Sequence, residues 1–236
     1  ALKPYADRVC TADIAIGNIA NGDHVFVGTG CAAPHTLLQA LEGLATLPAD
    51  LELLHFFTIK AFGHDANGRS TTRFRHRTFF VGTDMRAAIK QGLVDYVPMS
   101  VARVPEMIAL GRIPVDVALI QVSLPDAFGY VSLGISVDII PAAVACAKLV
   151  IAEVNPNMPR SMGDSTLHIS RIHHLVPVES PITEIDRPPL PEDGIQRIAR
   201  YIAGIIDDGS TLQIGLGQVA HEALQYLTDR KDLGIH

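Results

Sequence analysis

Cysteine is scarce in this chain: Cys10, Cys31 and Cys146 stand far apart, odd in number and in no Cys-x-x-Cys spacing. That pattern argues against a disulfide framework and a structural zinc site, and it points to a reducing compartment, the cytoplasm by default. Long apolar runs are missing as well. No window of about 18 uninterrupted apolar residues is present to span a bilayer, and the first residues lack the charged-then-apolar layout of a signal peptide. The longest apolar stretch, IIPAAVACAKLVIAEV, is broken by Pro141 and Lys148 and reads as a helix running into a buried strand. Basic charge is not in excess either. The formal net charge is −6, which argues against nucleic acid or an acidic membrane surface as partner.

What remains is a chain of 236 residues, 48% hydrophobic and 19% charged, long enough to bury the core of one large domain or of one domain plus part of another. The segments HVFVG, LELLHFF, RHRTFFVG, YVPM, VDVALIQV and KLVIAEV read as strands. Such continuous apolar strands need cover on both faces. The intervening PHTLLQALEGL, DMRAAIKQGL and RVPEMIALG have helical spacing and supply it. Alternation of this kind predicts an α/β fold: a mainly parallel sheet with helices on both faces. Residues 1–177 form the first domain. Residues 178–193, VESPITEIDRPPLPED, carry four prolines and five acidic residues and read as a linker. From 194 the apolar residues Ile195, Ile198, Ala199, Ile202, Ile205 and Ile206 recur at helical spacing, with Gly209 placed to end the helix.

This second stretch repeats the first. IANGDHVFVGTGCAAPHTLL lies over IDDGSTLQIGLGQVAHEALQ, matching Ile19 with Ile206, Gly22 with Gly209, Gly28 with Gly215, Gly30 with Gly217, Ala33 with Ala220 and Leu37 with Leu224. DLELLH at 50–55 then corresponds to DLGIH at 232–236, so residues 194–236 read as the start of a second, similar domain. Ile195, Ile198, Ile202, Ile205, Leu224 and Leu227 are therefore expected to be covered by the remainder of that domain or by another copy of the chain.

Each copy holds a Gly-x-Gly-x-x-Ala turn between a strand and a helix, GTGCAA at 28–33 and GLGQVA at 215–220. Such turns let the backbone approach a ligand closely. A dinucleotide site would add an acidic residue about 20 positions on, at the end of the next strand, where this chain has LELLHFFTIKAF. The loop IQVSLPDAFGYVSLG places Gln121, Ser123 and Asp126 at the carboxyl end of a strand, and NPNMPRSMGDS places Asn155 at the end of another, the edge where open α/β sheets bind ligands. Gly28, Gly30, Gln121, Ser123 and Asn155 are the candidate substrate-pocket residues. Turn chemistry alone would also explain either loop. His168, His173 and His174 lack metal-ligand spacing. Arg69, Arg73, Arg75 and Arg77 form a basic cluster, the last three on one face of a strand, and read as a solvated or subunit-facing surface. Glu153, at a strand end, is the best carboxylate in the chain for catalysis, though a partly buried, paired Glu is the commoner case.

Four motifs in order, VDVALIQVSLPDAFGYVSLGISVD, AEVNPNMPRSMGDS, GSTLQIGLGQVAHEAL and KDLGIH, resemble the acetyl-CoA hydrolase/CoA-transferase family, which includes 4-hydroxybutyrate CoA-transferases. The resemblance covers residues 10 to 236. It implies two similar α/β domains and transfer of CoA between acyl groups, or to water, through a glutamyl-CoA thioester. Gly215, Gly217, Gln218 and Val219 then form the site around the thioester and its oxyanion. The nucleophilic glutamate is expected two positions after His236, outside these residues, so the resemblance implies no catalytic residue within them and an inactive 236-residue polypeptide. It further implies acyl-CoA and a small carboxylate as substrates, no metal and no permanently bound cofactor, the C-terminal half of the same protein as partner, and a homo-oligomer. Hydrolase activity on the same scaffold and a non-catalytic ligand-binding protein are the alternatives.

Overall fold

The structure, a computed structural model, describes residues 2–63, 67, 70–82, 85–185, 194–215 and 217–235. The chain divides into two compact units, residues 1–185 and 186–236.

The first unit runs α1 (Ala12–Ile16), β1 (His24–Val27), α2 (His35–Glu42), β2 (Glu52–His55), β3 (Arg75–Thr78), α3 (Arg86–Lys90), β4 (Val94–Tyr96), α4 (Val104–Ala109), β5 (Val117–Val122), β6 (Tyr130–Ser132), α5 (Ile140–Cys146), β7 (Leu149–Val154), β8 (Thr166–His168) and β9 (His174–Pro177). Seven strands form one parallel sheet in the order β4-β3-β2-β1-β5-β7-β9. All of β5 and all but the first residue of β7 are buried. That is why these segments lack polar alternation: both faces of a parallel sheet are covered. One face packs Phe26, Ala118, Ile120 and Val150 against Val104 and Ile108 of α4 and Val144 of α5. The other packs Val25, Val27, Leu53 and Leu119 against Ile16 of α1 and Leu37 and Leu41 of α2. The α/β architecture read from the sequence is the one found.

Two details differ from the sequence reading. The strand expected at YVPM lies two residues earlier, because Val94 rather than Val97 is paired in the sheet, opposite His76. An additional strand, β9, closes the far edge, and β6 and β8 form a separate antiparallel pair. The predicted linker before 186 is tied to the first unit at three residues: Ser180 O accepts from Asn155 and Asn157, Thr183 Oγ1 meets His35 Nε2 at 2.9 Å, and Glu184 O accepts from Lys60 Nζ. The rest of that segment, 186–193, lies outside the described residues.

The second unit contains α6 (Ile195–Gly204), β10 (Thr211–Leu212), α7 (Gln218–Leu224) and β11 (Gly234–Ile235), and it reproduces the internal geometry of the start of the first. Gly22 and Gly209 have φ of 78° and 76°, and Asp50 and Asp232 have φ of 54° and 55°. Gly22 N donates to Ala49 O at 2.8 Å, as Gly209 N does to Lys231 O at 2.9 Å. Glu52 N donates to Asp23 O at 3.2 Å, as Gly234 N does to Ser210 O at 3.0 Å. The parallel pairing of β10 with β11 is the counterpart of β1 with β2. Five matched backbone features at the aligned positions mark the two stretches as the same structural unit.

Candidate functional site

The strand order reverses between β1 and β5, so the crevice at their carboxyl ends is where an open α/β sheet binds ligands. In the first unit that place is the turn after β1. Gly28 N donates to Leu119 O at 2.8 Å, and Gly30 N donates to Phe57 O at 2.7 Å. Gly30 has φ of 57°, and a Cβ there would lie 2.8 Å from Ser136 Oγ. The Thr29 hydroxyl donates to the Asp138 carboxylate, whose other oxygen accepts from Ile139 N. Burial pushes the Asp138 carboxyl up from its ordinary range. The loop after β6 thus roofs the first glycine turn, and glycine is explained there by backbone conformation and close packing. Gly30→Val is expected to destabilise the first unit by about 1–3 kcal/mol through overpacking and strain. Chemical denaturation checks it, and an unchanged midpoint would contradict this packing.

The other first-unit candidates are likewise committed to the fold. Gln121 Nε2 donates to Ala33 O at 3.1 Å, Asn155 Nδ2 donates to Gln121 Oε1 at 3.0 Å and to Ser180 O at 2.9 Å, and both side chains are buried. Ser123 Oγ donates to Leu124 O and accepts from Ser132 N and from Arg160 Nη1. Asp126 accepts from Phe128 N and Tyr130 N, closing its own turn. Buried polar groups satisfied in this way hold loops in place. His168, His173 and His174 point to separate neighbours, Ser170, Val150 N and Cys10. Arg73, Arg75 and Arg77 do share one face, where with His24 and Glu52 they line a cleft of about 340 Å³ at the amino ends of the strands. Arg77 pairs with Glu52 at 3.1 Å and Arg75 with Asp95 at 3.1 Å. Arg69 lies outside the described residues.

Glu153 has a role that its position in the sequence did not disclose. Helix α2 begins after Pro34 and has no capping side chain of its own. Glu153 Oε1, from the neighbouring β7, accepts from Leu37 N at 2.8 Å and so satisfies one of the orphan donors of the helix start. Burial pushes its carboxyl up to about 7, against the opposing pull of the Leu37 and Thr36 amides. Two further buried ionisable groups, His55 and His76, sit edge to face at 5.4 Å beside Phe62. Burial pushes both imidazoles down, His76 to about 4 and His55 well below its ordinary range.

The second glycine turn differs from the first. Gly217, at the start of α7, has φ of −153° and ψ of 149°, extended backbone open to any residue. Among the described residues, a Cβ on Gly215 or on Gly217 would meet nothing within 4 Å. Both glycines are exposed, Val219 is half-buried and Gln218 is exposed. The turn opens onto an apolar groove of about 600 Å³ lined by Ile202, Leu212, Ile214, Val219, Ala220 and Leu224, among others. Their counterparts in the first unit, Ala15, Val25, Val27, Ala32, Ala33 and Leu37, are wholly buried core. The groove is therefore the inner face of the repeated unit. The first turn of α7 adds backbone N–H groups that no helical carbonyl satisfies. An extended, unobstructed glycine backbone beside such donors can lie flat against a planar carbonyl or thioester.

Residues 2–215 match the acetyl-CoA hydrolase/transferase N-terminal domain family. The chain is 39% identical over 232 residues to 4-hydroxybutyrate coenzyme A transferase of Clostridium kluyveri, covering 98% of this chain and 54% of that protein. It is 33% identical over 229 residues to succinyl-CoA:acetate/propanoyl-CoA:succinate CoA transferase of Fasciola hepatica, covering 95% of this chain and 47% of that one. Among solved structures it superimposes on RipA from Yersinia pestis with a TM-score of 0.86 at 33% identity, covering 98% of this chain and 55% of RipA. The chain spans about half the length of these relatives. On the match of fold, order and sequence, the chain belongs to the acetyl-CoA hydrolase/transferase family and carries its N-terminal domain.

Proposed function

We propose that the full-length protein is a CoA-transferase that moves CoA between an acyl-CoA, acetyl-CoA among its donors, and a small carboxylic acid through a glutamyl-CoA thioester formed against the Gly215–Val219 turn. The observation that supports this reading is the contrast between the two turns. Gly30 is glycine because its φ and Ser136 require it, whereas neither conformation nor packing among the described residues requires glycine at 215 or 217. Close approach of a reacting group is the reason we assign to glycine there. The relatives from Clostridium kluyveri and Fasciola hepatica are CoA transferases by name.

The chemistry needs no metal. A glutamate carboxylate, which we place outside residues 1–236, attacks the acyl-CoA carbonyl. The tetrahedral oxyanion forms and collapses with departure of the CoA thiolate, leaving an acyl-glutamyl anhydride. The thiolate then attacks the glutamyl carbonyl, releases the acyl group as its carboxylate and leaves CoA on the enzyme. The acceptor acid reverses these steps. Backbone N–H groups of the turn, at Gln218 and Val219, are the donors we assign to the oxyanion. Residues 1–236 alone are expected to be inactive, and we place the protein in the cytoplasm on the strength of its unpaired cysteines.

A hydrolase would open the same thioester with water, so the two activities differ in how well water is excluded. The test is CoA release by the full-length protein from acetyl-CoA with and without acetate, succinate or 4-hydroxybutyrate. Release that depends on the acid supports transfer, and equal release without acid overturns it in favour of hydrolysis.

A further inference from the structure

The cleft at the amino ends of the strands is charged, and the repeat shows that the strand pairing beneath it does not require charge. His24 opens β1 and Glu52 opens β2, and the two stand opposite each other in the sheet. At the equivalent pair in the second unit stand Thr211 and Gly234. The same parallel pairing, entered through the same glycine conformation at Gly22 and Gly209, thus forms with no ionisable group at these positions. In the first unit Glu52 is only 5% exposed, and taking a carboxylate out of water has a cost that its ion pairs need not recover. Something other than the pairing of β1 with β2 accounts for it.

The contacts of Glu52 indicate what that is. Oε2 lies 3.1 Å from Arg77 Nη2, but Oε1 is buried and accepts no hydrogen bond among the described residues, with Arg75 Nε standing off at 3.6 Å. A buried oxygen of this kind lacks a donor. The arginines beside it have donors in excess. Arg73 commits Nη1 to Glu42 O and Leu44 O, Arg75 commits Nη2 to Asp95, and Arg77 reaches Glu52 through Nη2, so each guanidinium keeps further N–H groups. With His24 neutral, three arginines against Asp50 and Glu52 leave the lining one positive charge in surplus, in a chain whose formal net charge is −6. Such a recess suits an anion that brings a hydrogen-bond donor of its own. We infer that this cleft binds a small phosphate monoester carrying a hydroxyl group near the phosphate. The phosphate oxygens take the arginine forks, and the hydroxyl donates to Glu52 Oε1 as Arg75, whose side chain is 69% exposed, turns outward to the phosphate. The four residues of β1, about 13 Å of strand, separate this site from the turn at Gly28. The inference goes beyond the CoA-transfer reading and does not depend on it.

The test is calorimetric titration of the full-length protein with ribose 5-phosphate, ribose and inorganic phosphate. Ribose 5-phosphate is expected to bind at one site per chain, about tenfold more tightly than inorganic phosphate, and ribose is expected not to bind. Arg75→Ala, at an exposed side chain, should weaken binding of ribose 5-phosphate about tenfold. Glu52→Gln removes the negative charge and should tighten inorganic phosphate roughly threefold, a gain that loss of the fold could not imitate. Titration in saturating CoA should give the same affinity, which separates a free phosphate ester from the phosphates of CoA. No binding of ribose 5-phosphate, an Arg75→Ala affinity equal to that of the wild type, no gain in Glu52→Gln, or displacement by CoA would each overturn the inference.

Discussion

Replacing Gly217 with valine in the full-length protein is expected to lower turnover roughly a hundred- to a thousand-fold, the effect of losing one aimed oxyanion donor, while the unfolding midpoint stays within about 0.5 kcal/mol of the wild type. The two halves of that expectation come from different observations. Turnover falls because a branched side chain would hold the thioester away from the turn. Stability is expected to hold because Gly217 is exposed, its backbone is extended and a Cβ meets no atom within 4 Å among the described residues. Gly30→Val gives the opposite pattern in the aligned turn, costing stability through Ser136. A Gly217→Val protein with full turnover would remove this turn from the site.

The second large effect concerns pH. Glu153 ionises at about 7 in the folded protein against an ordinary 4.5, so it holds a proton that the unfolded chain gives up. Its stabilising contribution is complete below pH 4.5 and is lost as pH rises through 7, by about 3 kcal/mol. His76, held at about 4 against 6.5, acts in the other sense: the unfolded chain takes up a proton that the fold refuses, so its contribution is present above pH 6.5 and is lost as pH falls toward 4. His55 adds to the same loss. Between pH 4.5 and 6.5 the carboxyl and the imidazoles oppose one another. Glu153→Gln keeps an acceptor for Leu37 N and removes the carboxyl's titration. Relative to wild type, the variant should gain about 3 kcal/mol between pH 4.5 and 8, read from hydrogen exchange in β5 and β7 under increasing urea. A difference that does not change with pH would show that Glu153 does not carry its proton into the fold.

The central strands were legible because burial on both faces leaves a continuous apolar record, as in VALIQV and LVIAEV. The repeat was legible because its glycines and aspartates sit at positions that demand φ near 55–78°, which few other residues accept. β9 escaped notice because it is an edge strand of four residues that opens on His174 and ends on Pro177, a composition that reads as loop. The difference between the two glycine turns was invisible for another reason. GTGCAA and GLGQVA are alike locally, and what separates them is Ser136 and Asp138, more than a hundred residues from the first turn and brought over it only by the fold. The capping role of Glu153 likewise spans 116 residues between β7 and α2, a relation that no local pattern encodes.

The most direct measurement is mass spectrometry of the full-length protein after incubation with acetyl-CoA and reduction with borohydride. The account predicts that one glutamate outside residues 1–236 is modified, as its CoA thioester or as the reduced alcohol, and that the 236-residue polypeptide treated in the same way carries neither. An unmodified full-length protein that nonetheless releases CoA, or a modified carboxylate within residues 1–236, would contradict it.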